Sequence, residues 1–299
     1  MGRAEGGPAD RSAALGLLSA EELWALRRAR LSLRRAWAHA PGGHLSRRAG
    51  ASLEFADHRP YQPGDDLRLI DWAVYARHRK LVTKVFSREV EAPLYVLLDR
   101  SASMGLGGKL LFARRLAAAL LFLAFRGGDR FGVYPFAGEP EGLGRPRRGR
   151  AALVQAFRSL LGLAPAGRTD LGRALGAWAE RAWEPGVCLV LSDFLAPGLR
   201  EGLAALRAGR HAVAAVQILA PEDLRPPLLG EVRLVDAEEG RGRPAIVGPA
   251  ARRAYQENLR RWNEGLAQTC AELGVGLFLF VSDGSPVAAA LALARRWRP

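Results

Sequence analysis

Asp99, Ser101 and Ser103 stand two residues apart in Asp99-Arg100-Ser101-Ala102-Ser103, directly after the apolar run Leu94 to Leu98. In a tight loop, that spacing lets one carboxylate and two hydroxyls turn their oxygens toward a common point. Such oxygens are hard ligands and suit Mg2+ or Mn2+ rather than a soft metal. The motif alone is short, and Ser or Asp at this place can equally cap a helix N-terminus. Two further sites add weight. Thr169-Asp170-Leu171 precedes a helical pattern, and Ser192-Asp193-Phe194 follows the apolar run Val187 to Leu191. If the two runs are neighbouring parallel strands, Asp99 and Asp193 emerge at one sheet edge. Two ionised carboxylates there repel each other unless a cation intervenes. A divalent metal meets that need.

The elements that must position these residues follow from periodicity. Ser19-Ala20-Glu21-Glu22 has capping-box spacing, which predicts a helix from about Ala20 to Ala38. Ser52 to Ala56 and Leu81 to Phe86 read as strands on either side of the turn-rich stretch from His58 to Asp66. From Pro93 onward, short apolar runs alternate with helical patterns. Strands are expected at 94–98, 130–136, 187–191, 212–219 and 275–281, and helices at 109–125, 151–161, 171–182, 199–207, 253–273 and 286–297. Such alternation implies a doubly wound α/β fold with a mostly parallel sheet, Rossmann-like in layering. The strands are almost wholly apolar, as strands covered on both faces should be. One interruption stands out: 231–234 and 244–247 flank the Gly-rich Asp236 to Gly242, and a β-hairpin inserted at about 230–248 is expected there. The organisation is therefore a flexible start (1–18), a helix-plus-β extension (19–92) and an α/β domain (93–299).

Composition limits the classes of function. The 299 residues include 49% hydrophobic and 25% charged residues, an ordinary globular balance that can bury a core without disulfides. Cys188 and Cys270 have no ligand-like neighbours, so a zinc site is not expected and both thiols should be buried and reduced. No run reaches the ~20 apolar residues that span a bilayer, and no signal-peptide pattern opens the chain, so a cytoplasmic protein is expected. The formal charge is +14, nearly all of it from Arg. That field would attract acidic partners or nucleic acid. The two main clusters, at 27–35 and 145–150, are not interleaved with aromatics that could stack bases.

The residues Asp99-x-Ser101-x-Ser103, Thr169 and Asp193 resemble, in order and spacing, the metal-ion-dependent adhesion site of von Willebrand factor A domains. Upstream, Phe55-Ala56-Asp57-His58-Arg59-Pro60-Tyr61-Gln62-Pro63-Gly64-Asp65-Asp66, then Arg68, Ile70-Asp71-Trp72 and Ala76-Arg77, resembles the bacterial domain-of-unknown-function family fifty-eight. This resemblance implies a von Willebrand factor A-like fold that holds Mg2+ or Mn2+. Ser101 and Ser103 would bind the metal directly, Asp99 and Asp193 directly or through water, and Thr169 in one of two loop states. It also implies a protein partner that offers an Asp or Glu carboxylate, commonly a MoxR-type AAA+ ATPase, with the chain acting as an adaptor rather than an enzyme. Gly167-Arg168-Thr169 departs from the usual small residues before the Thr, and Arg168 either faces solvent or pairs with the partner. Arg100, Asp65 and Asp66 are further candidates for partner contact.

Other readings are weaker. A metal-dependent hydrolase of the phosphatase kind needs a nucleophile or second metal that the sequence does not supply. A nucleic-acid binder would rest on net charge alone. Asp65, Asp66 and Asp71 near His58 also read as turn and capping residues around Pro63-Gly64. Trp72, Trp178, Trp183 and Trp262 read as core or domain-contact residues.

Overall fold

The structure, a computed structural model, describes residues 16–29, 53–88, 92–142, 144–237 and 240–296. Helix α1 (Ala20–Arg27) starts as its sequence dictates. Ser19 Oγ accepts from the Glu22 amide, and the Glu22 carboxylate accepts from the Ser19 amide at 2.8 Å. It ends well before Ala38. The Arg126 guanidinium takes up the Arg27 carbonyl, and Arg28 lies over the Trp24 ring, so the last turn is closed by side chains. The rest of the expected helix lies outside the described residues.

The described residues form two compact units, one within 1–43 and 92–299 and the other within 44–91. Helix α1 therefore falls within the larger unit. In the smaller unit, β1 (Leu53–Pro60) and β2 (Val82–Arg88) pair antiparallel, with an irregularity between Phe55 and Asp57. Between them lie a 3-10 turn, Leu67–Leu69, and a short helix, α2 (Trp72–His78), that the sequence reading did not anticipate.

In the larger unit the apolar runs become β3 (Leu94–Asp99), β4 (Phe131–Phe136), β5 (Val187–Ser192), β6 (Ala212–Leu219) and, after the hairpin β7 (Gly230–Val235) and β8 (Gly242–Val247), β9 (Gly276–Val281). The sheet order is β4-β3-β5-β6-β9 and every pairing is parallel. Helices α3 (Lys109–Gly127), α4 (Arg150–Leu161), α5 (Leu171–Arg181) and α6 (Leu199–Ala208) make the crossovers, followed by the single turn α7 (Pro221–Leu224), the long α8 (Pro249–Leu273) and α9 (Pro286–Arg296). Helix α8 begins four residues earlier than its apolar pattern predicts, because Pro249 sits in its first turn, where a missing N–H costs nothing.

Alternation along the strands divides the core in two. Leu94, Val96 and Leu98 of β3 pack with α3, α4 and α9, whereas Tyr95 and Leu97 pack with α5, α6 and α8. This two-faced burial is the doubly wound arrangement expected from the sequence. Chain order runs from β3 out to β4 and then back across to β5, so direction reverses between β3 and β5. Ligand crevices in open α/β sheets lie at the carboxyl ends of strands at such a reversal.

Three further features bear on the sequence reading. Cys188 and Cys270 are both buried and unpaired. Among the described residues, no helix is long and apolar enough to cross a membrane. Trp178 is core, but Trp72 and Trp183 are more than half exposed. Trp183 stacks under the Arg145 guanidinium and Trp72 meets the Tyr75 ring edge-on, so a neighbouring side chain replaces burial.

At the opposite end of the sheet, His211 is buried against Tyr95 and Trp178, and its Nδ1 accepts from the Gly186 amide at 3.1 Å. Burial lowers its pKa to about 4. The folded protein therefore keeps this ring neutral at a pH where the unfolded chain, near 6.5, takes up a proton. Its contribution is fully present above about pH 6.5 and is lost as pH falls from there toward 4, by about 3 kcal/mol in total. Denaturant midpoints across that range should fall for the wild type and fall less steeply for His211→Gln. Equal slopes would assign the pH dependence to other groups.

Candidate metal centre

Asp99 ends β3, fully buried. A carboxylate in that position must be given donors. Oδ1 accepts from the Ser101 amide at 2.8 Å and from Thr169 Oγ1 at 3.0 Å, and Oδ2 accepts from Ser192 Oγ at 2.6 Å. Ser103 Oγ lies 3.1 Å from Ser101 Oγ. The structure thus gathers Asp99, Ser101, Ser103 and Thr169 from segments far apart in the chain.

Backbone bonds hold these loops in place. The Arg100 amide donates to Phe136 O, Ala102 N to Gly167 O at 3.0 Å, and Ala166 N to Arg100 O at 2.8 Å. Asp170 caps α5 through the Arg173 amide, and Leu171 N donates to Pro197 O, which ties the Thr169 loop to the one after β5. Phe194, in that last loop, has a left-handed φ of 56° that a bulky residue rarely adopts. Ser192 Oγ accepts its amide at 3.0 Å, and Trp262 Nε1 donates to its carbonyl, so the strained turn is held from both sides.

Asp193 is differently placed. Its Oδ2 lies 2.8 Å from the Lys109 ammonium, and its Oδ1 accepts from the Leu195 amide at 3.1 Å. Lys109 also reaches Asp223 Oδ2 at 3.1 Å. Lys109 and Asp193 are each 1% exposed. Burial works against the charged lysine, but the charges and hydrogen bonds of Asp193 and Asp223 outweigh it and hold its pKa above the usual value. The repulsion inferred from the sequence is therefore met, for Asp193, by an ammonium.

Asp99 has no such partner. Its three donors are neutral, and among the described residues no cation forms an ion pair with it. Burial, the dominant effect, and the nearby Asp193 charge raise its pKa. A buried carboxylate with no counter-charge among the described residues, set beside the hydroxyls of Ser101, Ser103, Thr169 and Ser192, is a donor set that fits a hard divalent ion. Among the described residues no three His, Cys, Asp or Glu side chains gather as a metal group, so this centre is rich in hydroxyls rather than carboxylates.

The candidate partner-contact residues are occupied within the chain. Arg100 donates to Glu141 and to Ala164 O, which straps the loop after β4 to the one before α5. Arg168 is exposed and has interactions of its own. In the smaller unit, Asp65 bonds Arg59, the Gln62 amide and Thr83, and Asp66 caps the 3-10 turn through the Arg68 amide. Asp71 caps α2 and faces His58 and Lys84. The hydrogen bond with His58, then the Val74 amide, lower its pKa to about 2.

Sequence reasoning passed over Lys109, Ser192 and Asp223. Ser192 was visible beside Asp193. Lys109 was legible only as the charged residue that opens a largely apolar helix.

Fold and site together define a doubly wound α/β protein whose strand-end loops hold an uncompensated carboxylate among hydroxyls. The chain belongs to the family described as Protein of unknown function DUF58, which matches residues 57–265. Uncharacterized protein Rv1480 of Mycobacterium tuberculosis is 34% identical over 252 residues, covering 81% of this chain and 78% of the relative. Uncharacterized protein Mb1516 of Mycobacterium bovis matches to the same extent. Among solved structures, the conserved hypothetical protein BatB of Bacteroides thetaiotaomicron aligns at TM-score 0.46 and 19% identity, over 68% of this chain and 96% of that one. A von Willebrand factor type A protein from Catenulispora acidiphila aligns at 0.43 and 15%, over 73% and 45%.

Ser192→Ala removes a donor to Asp99 and leaves the buried Phe194 amide without its acceptor. Chemical denaturation should show a loss of about 1–3 kcal/mol. A loss under about 0.5 kcal/mol would mean that this hydroxyl does not hold the site together.

Proposed function

We propose that this chain is a divalent-metal-dependent protein-binding module. The observation that carries the reading is Asp99: a fully buried carboxylate given only neutral donors, beside the touching hydroxyls of Ser101 and Ser103. Asp99, Ser101, Ser103 and Thr169 would hold Mg2+ or Mn2+. The metal would supply a coordination position that an Asp or Glu side chain of a partner can take in place of water.

Binding rather than catalysis is favoured by what surrounds the hydroxyls. Among the described residues, those of Ser101, Ser103 and Ser192 bond to one another, to Asp99 or to the Phe194 amide, and to no histidine that could act as a base. The partner we propose is a MoxR-type AAA+ ATPase, with the chain as its adaptor in chaperone-like or assembly processes. The family resemblance of the Asp99 motif and of the 55–77 segment supports that choice.

Calorimetric titration with Mn2+ and Mg2+ tests the reading. The wild type should saturate near one ion per chain, and Asp99→Asn should lose binding while its circular dichroism stays native. A folded wild type that takes up neither ion would overturn the metal-dependent reading.

A further inference from the structure

Two carboxylates meet at the strand-order reversal, and among the described residues only Asp193 has a charged partner. Both oxygens of Asp193 are engaged, Oδ2 by the Lys109 ammonium at 2.8 Å and Oδ1 by the Leu195 amide. The lysine is fixed from its other side too. Asp223 Oδ2 lies 3.1 Å from the ammonium and also accepts from the Ala220 amide at 2.8 Å. Gly107, two residues before Lys109, packs so closely on Ala220 that an added Cβ would come within 2.2 Å of the alanine's. The start of α3 and the turn entering α7 are thus clamped together with the ammonium beside them.

The residue type is itself informative. Of the 44 basic residues only Lys80, Lys84 and Lys109 are lysines. A chain that uses arginine almost everywhere uses lysine for this fully buried cation. A compact ammonium with three donors fits between two carboxylates, where a planar guanidinium needs more room.

We propose that Lys109 is the resident cation of this site, keeping Asp193 compensated so that a divalent ion taken up beside Asp99 is held by Asp99, Ser101, Ser103 and Thr169 without Asp193. The inference rests on the metal-binding reading above and narrows it. Lys109 withdraws one carboxylate from the ion's reach. The ion therefore keeps positive charge and coordination capacity for an acidic side chain of the partner, and the isolated chain binds the ion weakly. Lys109 is a positioning residue and touches neither ion nor partner.

Mn2+ titration of the full chain, read by calorimetry and by thermal melting with and without the ion, tests this with Lys109→Met and with the double variant Lys109→Met, Asp193→Asn. Lys109→Met leaves Asp193 uncompensated. Its Tm without metal should fall by about 10 °C. Its Mn2+ affinity should rise at least about tenfold, because a positive charge is gone and a carboxylate is freed. The double variant replaces an ion pair by a neutral pair and should bind Mn2+ much as the wild type does. Should Lys109→Met fail to fold, the double variant still decides. Loss of binding in it, as complete as in Asp99→Asn, would make Asp193 a direct ligand and overturn the proposal, while the metal-binding reading stands. A folded Lys109→Met with wild-type or weaker affinity also overturns it. If the wild type binds no ion and Lys109→Met does, Lys109 excludes the metal instead of leaving a site for it, and both the proposal and the metal-dependent reading fall. If neither binds, both fall.

Discussion

Asp99 closes the strand that lies between β4 and β5, with no solvent to satisfy its carboxylate. Two loops and the neighbouring strand at that end of the sheet answer this need. The amide of Ser101 turns back on it, Thr169 arrives from the loop before α5, and Ser192 reaches it from the neighbouring strand. Parallel pairing with β5 in register brings Leu98 opposite Leu191, so Ser192 falls beside Asp99. Without the parallel sheet these donors have no reason to meet, and without them a buried carboxylate would be too costly to keep.

Asp193, one residue further along β5's exit, is treated in another way. It draws a long side chain from the first turn of α3, and that side chain draws Asp223 from α7. One carboxylate is therefore satisfied by dipoles and the other by a full charge. Neutral donors soften the burial of a charge but leave it uncancelled, whereas an ammonium cancels it at a desolvation cost of its own. The difference gives the two acids separate parts in a site where the sequence alone treats them alike.

The sequence carried the strand and helix pattern of the larger unit to within a few residues, because buried parallel strands and amphipathic helices write their periodicity plainly. It grouped Asp99, Ser101, Ser103, Thr169 and Asp193, of which Thr169 precedes a helix and the others lie at or just after strand ends. Sheet order is a different matter: nothing in a one-dimensional pattern says that β3 lies between β4 and β5. Lys109 was hidden for a similar reason. After Gly107-Gly108 it looks like an ordinary polar helix start, and only the approach of β5's exit and α7 makes it interior. Helix α2 escaped because it is only seven residues long and has no buried face among the described residues. Asp71, read as a capping residue, does cap it.

The all-parallel sheet also sets an order of assembly. Strand β3 meets β4 after a crossover of one helix, but it meets β5 only after about ninety residues of intervening chain have been brought back. Contacts so distant in sequence are expected to form late, since closing a long loop costs entropy before any contact compensates for it. The hydrogen bonds of Asp99 with Ser192 and the ion pair of Lys109 with Asp193 belong to that late group. Interactions absent from the folding transition state act chiefly on the rate of unfolding. On that order of assembly, the site where a partner would bind would also act as a kinetic lock on the finished fold.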